Sequence, residues 1–335
     1  MLPGCATSYS HTVKTPPVAD HRDIFYLEAV PPVAQKAYQC GPASLESVLR
    51  YWGKDADAVS ISRSLMTPGT RGILNFSLVK YAKDQGFWAE LPEADEQKLK
   101  EFIKKNIPPI VMLNMGVLWV QKYHFVVLKG FDEKERIFYA NTGEAQTQAI
   151  SYAEFHTRWE GAGRWCLVIC PPERVDWELD GARANELGLN FEKSGKLEDA
   201  QKWYQAALRQ DAQNDLSRFN LANVYLKQQH FQEARVIYSE LLKTKPDWAD
   251  AANNLAWIFF EEGNPREAAR VIEAAFKNGA KRNFDILDTL GLSYCRMGDK
   301  ARAEQIFEEA LRAVPAENPQ SLELIRNHLK ECGFS

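Results

Sequence analysis

Val33-Ala34-Gln35-Lys36-Ala37-Tyr38-Gln39-Cys40-Gly41-Pro42-Ala43-Ser44-Leu45 sets a cysteine directly before Gly-Pro, at the opening of an apolar pattern. Leu45, Val48, Leu49 and Trp52 recur with helical spacing and the pattern stops at Gly53, which predicts an amphipathic helix with the cysteine at its N-terminus. Proline is favoured in a first helical turn, where its missing N–H costs nothing, so Pro42 marks the start. Unpaired backbone donors and the helix dipole favour negative charge there, which lowers a thiol pKa and enriches the nucleophilic thiolate. The plainer reading of Cys40 is a small cysteine packing a helix start. The residues downstream favour chemistry.

Around this helix the chain first offers Ile24-Phe25-Tyr26-Leu27, read as a strand, and an extended lead whose Pro31 and Pro32 forbid helix. Helices are predicted near Val59 to Leu65, over Asn75 to Gln85 up to Gly86, and over Glu96 to Asn106. In the last, Leu99, Phe102 and Ile103 face inward and the charges are read as a solvated face. The cluster Pro68-Gly69-Thr70-Arg71-Gly72 reads as a loop. From Pro108 the pattern turns to strands: Ile110-Val111-Met112-Leu113, then Tyr123 to Phe131, then Ile137-Phe138-Tyr139-Ala140 after the charged turn Asp132-Glu133-Lys134-Glu135-Arg136. The last two form an antiparallel hairpin. That places the start of the first strand, His124, beside the end of the second, Asn141, although they stand 17 positions apart. Directly opposed side chains sit about 5 Å apart at Cβ, within reach of an imidazole–amide hydrogen bond. His124 alone reads first as a packed histidine and Asn141-Thr142-Gly143 as a turn; together with Cys40 they form a cysteine-hydrolase set. Asp132, on the turn at the far end, is a weaker third member.

These elements resemble the C39-like peptidases, papain-type relatives that remove double-glycine leader peptides. The resemblance spans roughly residues 30 to 172. It rests on Cys40-Gly41-Pro42 with Gln35 ahead of it, on His124-Phe125-Val126-Val127 opening a strand, and on Phe138-Tyr139-Ala140-Asn141-Thr142-Gly143 ending the next. Where the family usually has Asp-Pro, this sequence has Asn141-Thr142. The resemblance implies Cys40 as nucleophile, His124 as base, Asn141 as orienting residue, and Gln35 with the Cys40 N–H as oxyanion donors. No metal or organic cofactor is called for.

The 335 residues suffice for two domains, and 45% hydrophobic with 26% charged residues is ordinary globular composition. A net charge of −4 argues against nucleic acid as a partner. The sequence holds no apolar run long enough for a membrane helix. The six cysteines are too sparse and irregular for a disulfide framework or zinc ribbon. Cys166 and Cys170 sit in an apparent strand as packing residues. Leu2-Pro3-Gly4-Cys5 resembles the end of a bacterial lipoprotein signal without its charged and apolar upstream regions. The expectation is a truncated start and possible tethering to a membrane through a lipid on Cys5, on the periplasmic face of the bacterial cell envelope; without truncation the chain would be cytoplasmic.

From about Asp180 the sequence repeats every 34 residues: Leu187-Gly188, Leu221-Ala222, Leu255-Ala256 and, one residue late, Leu290-Gly291. Ala200, Ala234, Ala268 and Ala303 align likewise, as do Tyr204, Tyr238, Ile272 and Phe307. This looks like the tetratricopeptide repeat, in four units at roughly 181–214, 215–248, 249–282 and 284–317, capped by a helix over Leu322 to Leu329. Asn220, Asn223, Asn253 and Asn254 are candidates to line a concave surface for a peptide or partner helix.

The predicted architecture is therefore an α+β papain-like cysteine peptidase domain followed by an all-α tetratricopeptide-repeat solenoid. Its parts are a flexible arm over 1–22, a peptidase domain over 23–172 and repeats over 181–333. The expected function is a cysteine peptidase whose repeats recruit a protein or peptide partner. The alternatives are an inactive peptidase-like scaffold and a thiol acyltransferase using the same residues.

Overall fold

The computed structural model describes residues 11–12, 23–35, 39–65, 75–116 and 121–334. Cys5 and the loop expected at 68–72 lie outside them. The chain divides into two compact units between Trp177 and Glu178.

In the first unit the strands are β1 (His11–Thr12), β2 (Ile24–Tyr26), β3 (Trp88–Glu90), β4 (Ile110–Asn114), β5 (Tyr123–Asp132), β6 (Ile137–Asn141), β7 (Gln148–Ser151) and β8 (Cys166–Cys170). They form an antiparallel sheet in the order β1-β7-β6-β5-β4-β8-β3, with β2 also on β5. The helices are α1 (Cys40–Tyr51), α2 (Ala58–Leu65), α3 (Asn75–Asp84), α4 (Glu96–Lys104) and α5 (Tyr152–Glu160). α1 runs beside β5 and buries Leu45, Val48 and Leu49 completely. Trp52 caps its end, donating from Nε1 to the Ile169 carbonyl at 2.9 Å, and Gly53 follows at φ +79°. That left-handed conformation is open to glycine, so the helix stops where the sequence says.

β5 is longer than its neighbours and is shared. Its first half pairs with β4, from Tyr123 opposite Asn114 to Val127 opposite Ile110, and its last three residues pair with β2. At Gly130 a Cβ would stand 2.5 Å from the Phe25 carbonyl, so only glycine lets β2 approach. The pairing with β6 shifts register between Leu128 and Gly130, which leaves Lys129 at a bulge. The β5–β6 turn follows Asp132, whose Oδ1 accepts from the Glu135 N–H at 2.9 Å. Asp132 is thus a turn residue at the end of the hairpin remote from His124.

Four elements escape the sequence reading, the first being β1, which pairs with β7 inside the stretch read as a flexible arm over 1–22. β3 and β7, of three and four residues, are too short to show a period. α5 does carry a signal: Ser151 accepts from the Glu154 N–H, and Tyr152, Phe155 and Trp159 share one buried face. The charges of α4 also depart from expectation. Lys100 is 4% exposed and donates to Glu96 at 2.6 Å and to Glu133 at 2.7 Å, so this charge ties α4 to the hairpin turn instead of facing water.

The second unit pairs α6 (Gly181–Lys193) with α7 (Leu197–Gln210), α8 (Asp215–Lys227) with α9 (Phe231–Thr244), α10 (Ala249–Glu261) with α11 (Pro265–Lys277), and α12 (Phe284–Arg296) with α13 (Lys300–Ala313), followed by α14 (Pro319–Glu331). The aligned alanines and aromatics are its core: Ala200, Ala234, Ala268, Ala303, Tyr204, Tyr238, Ile272 and Phe307 are all at 0% exposure. Glycines at 188 and 291 lie flush against rings of the partner helix, where a Cβ would come within 2.7 Å of Tyr204 and Phe307 respectively. The cysteines correct the sequence reading, because Cys295 and Cys332 form a disulfide with Cα atoms 5.8 Å apart. The bond joins α12 to the end of α14, and the Asp288–His328 pair at 2.9 Å joins the same two helices. A spacing of 37 residues announces nothing; packing of the capping helix creates the pair.

Gly291→Ala should destabilise the repeats. Alanine gains about 1 kcal/mol of helix propensity over glycine, but overpacking against an immobile ring costs about 1–3 kcal/mol. Urea unfolding followed by circular dichroism should show a lower midpoint than in the parent protein, and an unchanged or raised midpoint would contradict this packing.

Candidate functional site

Cys40 is the first residue of α1, half-buried and outside any disulfide. Its backbone N–H belongs to the first turn, where N–H groups point out of the helix end. Cys40 lines one small cavity with Ser47 of α1, Val127 of β5, Asn141 of β6, Gly143 and Val33. Sheet and helix therefore meet at the cysteine, as the sequence places them.

His124 is 1% exposed near the start of β5. Its Nε2 lies 2.7 Å from the backbone carbonyl oxygen of Thr142. A carbonyl oxygen only accepts, so Nε2 carries the ring proton and Nδ1 carries the lone pair of the neutral ring. Nδ1 is buried and has no hydrogen-bond partner among the described residues. Desolvation pushes the His124 pKa below the ordinary histidine value, against the opposing effect of the Thr142 carbonyl. A neutral imidazole with one proton-accepting nitrogen held bare is chemically a base.

The expected bond between His124 and Asn141 is not formed. Asn141 pairs with Val127, three residues along β5 from His124. Its Nδ2 donates to the Pro31 carbonyl at 3.0 Å, with Ser47 Oγ at 3.4 Å, and its Oδ1 accepts from Thr147 Oγ1 at 3.1 Å. The next residue reaches the histidine instead, through its main chain. Gln35 belongs to the same group: its N–H donates to the Gly143 carbonyl at 3.0 Å, and its Nε2 reaches Thr142 O at 3.5 Å. Gly143 adopts φ +86°, and a Cβ there would lie 2.2 Å from the Gln35 side chain. Both constraints demand glycine. The structure thus gathers Gln35, His124, Thr142 and Gly143 by shared contacts and puts Cys40, Asn141 and Gly143 on one cavity. The sequence did hold a sign of the Thr142 role: a glycine after Asn-Thr marks a left-handed turn that can present the preceding carbonyl.

In the second unit the asparagines are largely consumed by the fold. Asn220 donates to Asn185 at 3.1 Å, and Asn254 donates to Asn223 at 2.9 Å and to the Tyr238 hydroxyl at 3.2 Å. Asn253 Oδ1 is buried without a partner among the described residues.

Residues 27–167 match the Peptidase_C39 like family, and residues 192–258 and 253–318 match tetratricopeptide repeat families. The chain joins a C39-like peptidase domain to tetratricopeptide repeats. Cellulose synthase operon protein C of Pseudomonas fluorescens is 36% identical over 87 residues, 25% of this chain and 7% of that protein. Protein FlbA of Caulobacter vibrioides is 29% identical over 130 residues, 38% of this chain and 22% of that protein. The aligned parts thus span less than a quarter of either relative. Among solved structures, the peptidase domain of Streptococcus ComA, a bi-functional ABC transporter, is 22% identical with a TM-score of 0.36, covering 42% of this chain and 98% of that one. The tetratricopeptide protein YrrB, described as having an unusual peptide-binding site, is 16% identical with a TM-score of 0.35, covering 45% of this chain and 78% of that one. By the family matches alone, a peptidase-like domain and tetratricopeptide repeats stand in one chain.

The buried histidine generates a pH prediction. The unfolded chain binds a proton at this residue below about pH 6.5, whereas the folded chain, with its lowered pKa, does not until more acid pH. Stability contributed by keeping His124 neutral is therefore complete above that value and falls as pH drops toward the folded pKa. Denaturation of the parent and of His124→Gln between pH 4 and 8 should show the parent losing stability more steeply on the acid side. Parallel curves would contradict the burial of a neutral ring.

Proposed function

We propose that the first unit is a cysteine peptidase, and the observation that carries this reading is the His124 ring held by Thr142 O with its Nδ1 buried and, among the described residues, without a partner. A buried polar atom without a partner calls for a reason. Here the reason is a proton delivered from Cys40: catalytic hydrogen bonds are often long before substrate binds and close in the complex. The thiol proton passes to His124 Nδ1 and the thiolate attacks the scissile carbonyl carbon, whose π pair moves to oxygen. Collapse of that intermediate expels the amine, which takes the proton from the imidazolium and leaves a thioester on Cys40. Water, deprotonated by the same ring, attacks the thioester and frees the thiol. The Thr142 carbonyl keeps the proton on Nε2 throughout, the part that an orienting carboxylate or amide takes in a triad. The Cys40 N–H and Gln35 Nε2 stabilise the oxyanion. At 3.5 Å from Thr142 O, the Gln35 amide is only weakly held and can turn to the substrate.

The repeats supply the surface for a protein partner, and we assign them the capture of the protein or peptide that the first unit cleaves. The Cys295–Cys332 disulfide supports an oxidising location such as the bacterial cell envelope, in keeping with lipid attachment at Cys5. A scaffold without activity has no use for a buried, correctly protonated base, which weighs against the inactive reading. A thiol acyltransferase differs only in the acceptor that resolves the thioester.

Two outcomes test this reading. Iodoacetamide should label Cys40 rapidly with an apparent pKa well below the free-thiol value of about 8.5, as followed by mass spectrometry from pH 4 to 10; slow labelling with an ordinary pKa would move the function to the repeats. Cys40→Ala should abolish peptide hydrolysis while the circular dichroism spectrum and thermal midpoint stay those of the parent, and activity that survives the change would refute the nucleophile.

A further inference from the structure

Asn141 occupies the place where the resemblance expects a partner for the histidine, yet its amide turns the other way. It donates to the Pro31 carbonyl at 3.0 Å. The same oxygen accepts from Ser47 Oγ of α1 at 2.6 Å. One residue earlier, the Val30 carbonyl accepts from Lys129 Nζ at 2.8 Å. Asn141, Ser47 and Lys129 are each at most 3% exposed, and they come from three elements, β6, α1 and the β5 bulge. Asn141 is itself fixed, because Thr147 Oγ1 donates to its Oδ1. Four residues beyond Pro31, the Gln35 N–H is tied to the Gly143 carbonyl. The extended arm from Val30 to Gln35 is thus clamped at both ends, and Gln35 is what the arm delivers.

We propose that Asn141 and Ser47 are positioning residues for the oxyanion side of the site: they set Gln35 through the Pro31 carbonyl and leave the His124 base to the Thr142 main chain. The physical grounds are exclusive. Prolines at 31 and 32 cannot donate, so the arm has fewer backbone donors with which to join a sheet and must be held by its carbonyls. Among the described residues, Ser47 and Asn141 donate to Pro31 O. A Gln35 displaced by even a fraction of its bond length loses an oxyanion donor, whereas the thiol and the imidazole keep their own supports. This inference rests on the cysteine-hydrolase reading and assigns a division of labour within it.

Two probes that share the Cys40 nucleophile separate the roles. Iodoacetamide alkylates the thiolate by displacement, in which the sulfur–carbon bond forms as iodide leaves, and no oxyanion arises. A short peptide aldehyde adds reversibly: sulfur bonds to the carbonyl carbon, the π pair moves to oxygen, and that oxygen takes the proton released by the thiol. Only the second reaction draws on the oxyanion donors. In the full chain, Asn141→Ala and Ser47→Ala should each weaken aldehyde binding at least about tenfold, in the manner of Gln35→Ala. Their alkylation rate profiles from pH 4 to 10 should overlay that of the parent. Ser47→Ala is the milder change and keeps the test open if Asn141→Ala folds poorly. A shifted alkylation profile in either variant would overturn the proposal, since the residue would then act through the imidazole. Unchanged aldehyde affinity in both would overturn it as well. A parent protein whose Cys40 resists both reagents would instead sink the underlying hydrolase reading and this inference with it, an outcome distinct from the other two.

Discussion

The arrangement of the first unit depends on one backbone atom, the carbonyl oxygen of Thr142. It accepts from the His124 ring and lies within reach of the Gln35 amide, so a single acceptor connects β5, β6 and the lead into α1. An oxygen that can only accept dictates the tautomer of the ring it meets. It is presented by Gly143, whose left-handed backbone and missing Cβ leave room for Gln35. A side-chain amide in the same role could turn over and offer its donor to the ring, whereas a main-chain carbonyl has no donor to offer.

Burial gives this bond its force. At 1% exposure the His124 ring is costly to charge, so it rests neutral, with one nitrogen protonated and the other available. The surrounding shell is also unusually polar for a core. Lys129 sits at the bulge with its pKa lowered by desolvation to about 8, and its ammonium is directed to the carbonyls of Val30 and Glu28 and over the Tyr26 ring. A buried cation that meets carbonyls rather than a carboxylate is retained for where it holds the chain, since an apolar residue would pack at lower cost.

The second unit follows different rules. Its stability is built from adjacent helix pairs, each closing on the next through small residues and rings. The asparagines on its helices show how composition misleads here: most bond to neighbouring repeats and so help set their register, leaving less of the polar surface for a ligand than counting would imply. The capping helix is held to α12 by both a disulfide and an ion pair.

What the sequence by itself determined is the set of regular features. Cys40 before Gly-Pro at an amphipathic helix, the apolar strands from 110 to 141, and the 34-residue period all follow from local spacing, because helices, hairpins and stacked repeats are encoded by neighbours in the chain. What only the tertiary structure decided is which atoms meet. The one-residue difference between an amide on Asn141 and a carbonyl on Thr142 depends on a bulge at Lys129 that shifts the β5–β6 register. The burial of Lys100, the pairing of Cys295 with Cys332 and the clamp on Pro31 likewise join residues distant in sequence. Periodicity says which face a side chain takes; contacts between separate elements are fixed by how their surfaces close together, and no local pattern carries that information.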